Sequence, residues 1–298
     1  MTGLGQTFVD RMTRTLAAMA AGALAFAAPA LAGETPQKPQ RIVSLNLCVD
    51  QILLDLVPRE RLQGLSFLAA DPSMSLLHRE AKGIAAIRGE AEEVLSLEPD
   101  LVLAGEYTTG ATVDLLRRLG RRVEVVPMAS SFAAIRDVVR KVAKLTGEET
   151  SGERMIAEFD RRLDASRAID GPAPRPRAVA FQVNSLASGP GSLVDEVLLT
   201  AGFENVARKA RLGPGGRMPL ESLISDPPDV IVRANSARDF RTVLGDNLRH
   251  PAFKALEQER PSIHMPMNEW LCGTTHIVKA VARLAAARDA LRVSAKAP

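Results

Sequence analysis

The chain has 298 residues, with 38 Lys and Arg against 35 Asp and Glu for a net charge of +3. That near balance, with one Trp, one Tyr and no basic run interleaved with aromatics, excludes a nucleic-acid binder. Past residue 32 no stretch reaches the roughly 18 uninterrupted apolar residues that a membrane helix needs, so 33–298 reads as a soluble chain with enough residues for two domains.

In chain order, Arg11 and Arg14 precede an apolar run over 16–28, and Ala30-Leu31-Ala32 has the small-x-small form of a signal-peptide cleavage site. The expectation is a signal peptide over 1–32, cleaved after Ala32, and a periplasmic protein. The short apolar run 42–45 reads as a strand, followed by the polar turn Asn46-Leu47-Cys48 and an apolar helical pattern. Pro99-Asp100 ends a helix and opens a buried strand over 101–104. A helix ending at Gly120 leads to a strand over 123–126. Phe132, Ile135, Val138, Val139, Val142 and Leu145 keep a helical period that Gly147 stops. A second helical pattern runs over 149–168, with Met155, Ile156, Phe159 and Leu163 on one face, and the Pro-rich 171–176 ends it. Strands over 178–183 and 230–232 then return, so that each half reads strand, helix, helix, strand, helix, strand.

The halves echo each other in sequence. Arg41-Ile42-Val43 returns as Arg177-Ala178-Val179, and 49–54 (VDQILL) as 194–199 (VDEVLL). In the same order, 92–103 (EEVLSLEPDLVL) returns as 221–232 (ESLISDPPDVIV), and Pro127-Met128 as Pro266-Met267. Ordered matches at a similar offset, about 129 to 145 residues, indicate two similar lobes rather than chance likeness. The fold class expected is α/β: two lobes with mostly parallel sheets, over 33–147 and 172–298, joined by one long helix over 148–171, with a ligand cleft between them. A helix of about 20 residues makes a rod of roughly 30 Å, so lobe motion on binding should be small.

Loops at the carboxyl ends of the strands should line the cleft. In the first lobe these carry Asn46, Leu47, Cys48, Phe67, Arg88 and Tyr107; in the second, Asn184, Arg217, Arg233, Trp270 and Cys272. Trp270 reads either as a ligand-facing aromatic or as a hydrophobic plug. Cys48 and Cys272 are the two cysteines of the chain, one on a cleft loop of each lobe. Three readings stand for them: a disulfide, as a pair in an oxidising compartment usually forms; thiols that contact ligand; or soft-metal ligands together with His276, four residues beyond Cys272. An exported enzyme of chelatase or lyase type using the same cleft is the alternative to a binding protein. No Ser-His-Asp order with elbow glycines, no HExxH and no phosphate loop supports it.

Arg41-Ile42-Val43-Ser44-Leu45, Leu97-Glu98-Pro99-Asp100-Leu101-Val102 with its copy, and Ala187-Ser188-Gly189 before Ser192-Leu193 carry a resemblance over 40–291. The chain resembles the periplasmic binding proteins of ABC importers for ferric siderophores, haem and cobalamin, those with a single-helix backbone. The resemblance implies an importer component and not an enzyme, with a metal chelate as ligand, a permease dimer of the inner membrane as partner, and no resident cofactor, any iron or cobalt belonging to the ligand. It implies that Glu92 and Glu221, at the same place in the two copies, dock on permease arginines. For an anionic chelate, Arg88, Arg217 and Arg233 would clamp carboxylates or catecholates. Corrinoid binders of this kind line the cleft with several aromatics, whereas aromatic residues are 4% here and only Phe67, Tyr107 and Trp270 fall on cleft loops. Nor does a pair of Tyr or His ligands suited to haem stand out, since Tyr107 is alone.

Overall fold

A computed structural model describes residues 38–168, 174–234 and 245–294. The expected signal peptide over 1–32 lies outside the described residues, as do 169–171 at the end of the expected connecting helix. Two sheets organise the described residues. The first holds β1 (Ile42–Ser44), β2 (Leu62–Ser66), β3 (Ala85–Ile87), β4 (Leu101–Gly105) and β5 (Val123–Val126) in the order β3-β2-β1-β4-β5, every pairing parallel. The second holds β6 (Arg177–Ala180), β7 (Glu204–Asn205), β8 (Val230–Arg233) and β9 (Ser262–His264) in the order β7-β6-β8-β9, again all parallel. The molecule is α/β with two lobes.

The sequence repeat has a mechanical meaning. Asp100 accepts the backbone N–H of Arg41 at 3.0 Å, and Asp229 accepts that of Arg177 at 2.8 Å. Each Pro-Asp motif therefore fastens the start of its lobe's opening strand to the strand beside it. The arginines answer in kind: the Arg41 guanidinium donates to the Leu97 carbonyl and the Arg177 guanidinium to that of Pro227.

The structure also differs from the pattern read off the sequence. The expected strand 178–183 stops at Ala180, and Val183–Ser185 turns as a 3-10 helix with Asn184 at φ 57. Three strands, β2, β3 and β7, were not anticipated, and the closing strand of the second half, expected without bounds, is β9. β2 reads LQGLS and has no alternation to betray it; its Gly64 is there for packing, because a Cβ would come within 2.8 Å of Leu97 and 2.9 Å of Ile87.

Helix α1 (Leu47–Leu56) follows β1, α2 (Ala91–Ser96) follows β3, and α3 (Gly110–Arg118) follows β4. Then α4 (Phe132–Thr146) ends at Gly147, which takes the left-handed φ of 73, and α5 (Glu149–Ser166) doubles back along it. The 18 residues of α5 span about 27 Å. Gly152 permits a close crossing of the two helices, since a Cβ there would meet that of Ala143 at 2.6 Å. The Phe132 and Phe159 rings meet edge to face at 6.1 Å, and Arg136–Asp160 and Arg140–Glu153 pair along the seam. The second lobe adds α6 (Leu193–Thr200), α7 (Val206–Lys209), α8 (Leu220–Ser225), α9 (Asp246–Arg249), α10 (Pro251–Glu259), α11 (Met267–Trp270) and α12 (Val278–Ser294). α12 also packs on α5. The connecting helix is thus no bare rod: it lies in a layer with α4 and α12. One apolar core runs through that layer, from Ile42 and Leu103 through Ile156, Phe159 and Leu163 to Val197, Val230 and Leu284.

Candidate functional site

The carboxyl ends of the first sheet's strands and loop and helix segments of the second lobe enclose one cavity of about 550 Å³, an ordinary size for a small-molecule site. The first lobe contributes the start of α1. Asn46 caps that helix, its side-chain oxygen accepting the N–H groups of Cys48 at 3.0 Å and Val49 at 3.2 Å. Gly105 at the end of β4 makes room for this cap, because a Cβ would sit 2.3 Å from the Asn46 amide nitrogen. The second lobe contributes the start of α6 and the segment from Trp270 to Ile277.

Of the residues expected in the cleft, Asn46, Leu47, Cys48, Phe67, Arg88, Tyr107 and Trp270 line this cavity. Trp270 is 8% exposed and belongs to the core as well as to the cavity wall, so the two readings of it meet in one residue. Asn184, Arg217, Arg233 and Cys272 do not line the cavity. Arg233 pairs with Glu257 and lies over the Phe253 ring, its guanidinium carbon 5.8 Å from the centroid, within the second lobe's own core. Arg217 is exposed and its backbone bridges that of Leu186. Asn184 sits half-buried in the left-handed turn that cuts β6 short.

Cys48 and Cys272 are bonded to each other, with Cα atoms 5.2 Å apart, well inside the reach of a disulfide. The bond joins the first turn of α1 to the bend after α11 and so ties lobe to lobe beside the cavity. It disposes of the readings that needed free thiols, ligand-contacting or metal-binding. Cys272 does not begin a helix, and His276 lies in the 3-10 turn Thr275–Ile277, where its Nε2 is 2.7 Å from Oδ2 of Asp55. Among the described residues no group of three or more His, Cys, Asp or Glu side chains is arranged to hold a metal.

Further links stitch the lobes around the site. The Asn268 amide donates to the Pro72 carbonyl at 2.9 Å. Glu196, on α6, accepts the N–H of Phe132 at 2.6 Å, placing a second-lobe carboxylate at the N-terminus of α4, where the helix dipole favours it. Gly273 packs on the first lobe so closely that a Cβ would meet the Ala129 carbonyl oxygen at 2.4 Å.

The wall is predominantly apolar, and Phe67, Tyr107, Met128 and Leu271, four of the six large hydrophobic side chains exposed among the described residues, belong to it. Gathered exposed apolar surface of this kind marks a binding site. Among the described residues, charge enters the wall only through Arg88 and Glu106, both from the first lobe. The Glu106 carboxylate is already engaged, accepting the N–H of Met128 at 2.9 Å. Under the wall, Asp50 is fully buried against Ser66, whose N–H donates to it at 3.1 Å. Burial pushes the Asp50 carboxyl up to about 7, opposed by hydrogen bonds from Ser44 and Ser66.

Met128, Pro127 and the first turns of α6 (Ser192, Leu193, Val194, Val197) were not anticipated in the wall. The repeat contained the signal for them. Val194-Asp195 is the copy of Val49-Asp50, and Val49 follows directly on the cleft turn at Asn46.

Glu92 and Glu221 each occupy the first turn of a short helix, α2 and α8, and both are exposed. No helix among the described residues is long and apolar enough to cross a membrane.

A family model described as "Periplasmic binding protein" matches residues 42–259. Among curated proteins, the cobalamin-binding protein of Halobacterium salinarum (strain ATCC 29341 / DSM 671 / R1) is 26% identical over 67% of this chain and 55% of its own length. The chain spans about half the length of the curated relatives it matches. Among solved structures, the apo form of the periplasmic heme-binding protein RhuT from Roseiflexus sp. RS-1 superposes with a TM-score of 0.66 at 24% identity, over 84% of this chain and 97% of that one. The periplasmic vitamin B12 binding protein BtuF of Vibrio cholerae gives 0.62 at 17% identity, over 87% and 99%. These likenesses establish the two-lobed fold.

Proposed function

The chain belongs to the periplasmic binding protein family, and from that premise we propose that it is the substrate-binding component of an ABC importer. Exported by its signal peptide, it captures a metal chelate between its lobes in the periplasm and delivers it to a permease of the inner membrane. The observation that carries this reading is the interlobe cavity, apolar along its wall and, among the described residues, charged only at Arg88 and Glu106.

The same observation orders the ligands. A polyanionic ferric siderophore would meet one arginine and a carboxylate of its own sign. A macrocycle with apolar faces and an amide-bearing edge fits better, since an arginine donates to an amide oxygen while a carboxylate accepts from an amide N–H. A corrinoid has that chemistry, and the curated relatives bear names of cobalamin and vitamin B12 binding. Haem, with two carboxylates, stands behind it. Delivery would use Glu92 and Glu221 as the paired docking carboxylates.

Isothermal calorimetry against cyanocobalamin, haemin and a ferric catecholate, with Trp270 emission followed in parallel, tests the reading. One-to-one binding of cyanocobalamin with a change in emission is expected. Tighter binding of the catecholate would overturn the order of ligands, and no heat from any of the three would overturn the ligand class.

A further inference from the structure

Glu92 and Glu93 are neighbours in the first turn of α2, yet they are held differently. Glu92 is exposed and has no hydrogen-bond or ion-pair partner among the described residues. Glu93 is half-buried and reaches back past the start of the helix, where its carboxylate accepts the backbone N–H of Arg88 at 2.7 Å. Arg88 and Gly89 line the cavity. Between β3 and α2 the chain reverses here, with Gly89 at φ +98, a conformation side chains resist. Glu93 holds the Arg88 backbone and not its side chain, and the guanidinium makes no hydrogen bond or ion pair among the described residues, so its bearing on the cavity follows from the turn that Glu93 holds.

The second lobe lacks this device. Glu221 stands at the repeat position of Glu92, but Ser222 stands at that of Glu93, with a side chain too short to reach back. The segment before α8 is held by backbone bonds instead: Met218 N–H donates to the Ser185 carbonyl at 2.9 Å, and Arg217 bridges Leu186. Arg217 does not line the cavity. One lobe alone therefore connects its exposed docking carboxylate to a charged cavity residue through a side-chain bond.

We propose that Glu93 is a positioning residue that couples α2 to the ligand through Arg88, so that docking at Glu92 bears on the charged end of the site while docking at Glu221 only anchors. This rests on the docking and ligand readings above. A helix cap without any such role is the rival account, because a glutamate at this position commonly reaches back to cap its helix.

Of three measurements, the first tests the bond itself and the other two separate the accounts. In nitrogen-15-labelled ligand-free protein, the Arg88 amide proton should lie downfield through its carboxylate bond. It should move upfield in Glu93→Ala and return in part in Glu93→Gln; an unmoved Arg88 amide in Glu93→Ala overturns the proposal. In calorimetry with cyanocobalamin, Glu93→Ala should weaken binding about 3- to 10-fold, as loss of one hydrogen bond does. The double variant with Arg88→Ala should bind no more weakly than Arg88→Ala alone, and additive losses would show a cap that does not act through Arg88. Coupling is reciprocal, so cyanocobalamin should shift the Glu92 amide more than the Glu221 amide, and Glu93→Ala should remove the difference; equal shifts in the wild type overturn the asymmetry. If the wild type binds neither cyanocobalamin nor haemin, the ligand reading falls, and the Arg88 amide still decides whether Glu93 holds the turn.

Discussion

Asp50 and Asp195 occupy the same repeat position, both buried, with different compensation. Asp195 lies against Asn205 and a guanidinium, Arg208 donating to both of its oxygens at 2.8 to 3.0 Å. Asp50 has hydroxyl and backbone partners but no cation, and burial raises its carboxyl from 3.8 to about 7. A raised acid binds its proton more tightly in the folded state. Its contribution is therefore fully present below the unfolded value near 3.8 and is lost as pH rises through about 7. Complete loss amounts to roughly 4 kcal/mol at about 1.4 kcal/mol per unit. Urea melts of the wild type and Asp50→Asn between pH 4 and 8 should show the wild type losing stability relative to the variant as pH rises. Parallel curves would mean that the carboxylate is stabilised some other way. Arg208→Met leaves Asp195 buried without its cation, and a loss of about 2 to 4 kcal/mol in the same melts is expected.

At the scale of elements, the bend between α11 and α12 meets the first lobe across a gap only glycine fits. In Gly273→Ala the added methyl would strike the Ala129 carbonyl oxygen, a backbone atom that cannot swing aside. The expected cost is about 1 to 3 kcal/mol, read by denaturation, with weaker ligand binding because Ala129 and Gly273 both line the cavity. Such contacts join residues far apart in sequence, and no local pattern announces them. The long helices were legible: the period from Phe132 to Leu145 and the stop at Gly147 gave α4 within a residue, and Met155, Ile156, Phe159 and Leu163 gave the apolar face of α5. β2 and β3 were not, because β2 is interrupted by Gln63 and Gly64 and β3 is a three-residue edge strand, Ala-Ala-Ile, with two residues exposed, so neither carries alternation or a β-branched run. In the site, strand ends pointed to Asn46, Phe67, Arg88 and Tyr107, and these line the cavity. They failed for Arg233, since position along a strand does not say which face a side chain takes, and Glu257 with Phe253 draws this one into the second lobe.

At the scale of the molecule, two lobes joined by a core-embedded layer and stitched at Cys48–Cys272, Asp55–His276, Asn268–Pro72 and Glu196–Phe132 should move little as rigid bodies. Small-angle scattering with and without cyanocobalamin is expected to give closely similar radii of gyration; a large contraction would contradict this. Such a body can present Glu92 and Glu221 to a two-fold permease at a fixed spacing. Glu92→Arg with Glu221→Arg should abolish uptake by cells while ligand affinity stays within about twofold, because reversal turns attraction into repulsion at the docking face only. Undiminished uptake would refute the docking role. Cys48→Ser should lower stability by about 2 to 5 kcal/mol, and calorimetric scans with and without reductant should show the same difference in the wild type and none in the variant.

The distance between those two cysteines in sequence also orders the protein's maturation. They lie 224 residues apart, so a chain emerging N-terminus first presents Cys48 long before its partner exists. With two cysteines in the whole sequence, no wrong pairing is available within one molecule; premature oxidation has only another molecule to join. The finished bond therefore records that both ends of a single chain have arrived and found each other, and disulfides from Cys48 to another molecule are the expected by-products of chains oxidised too soon.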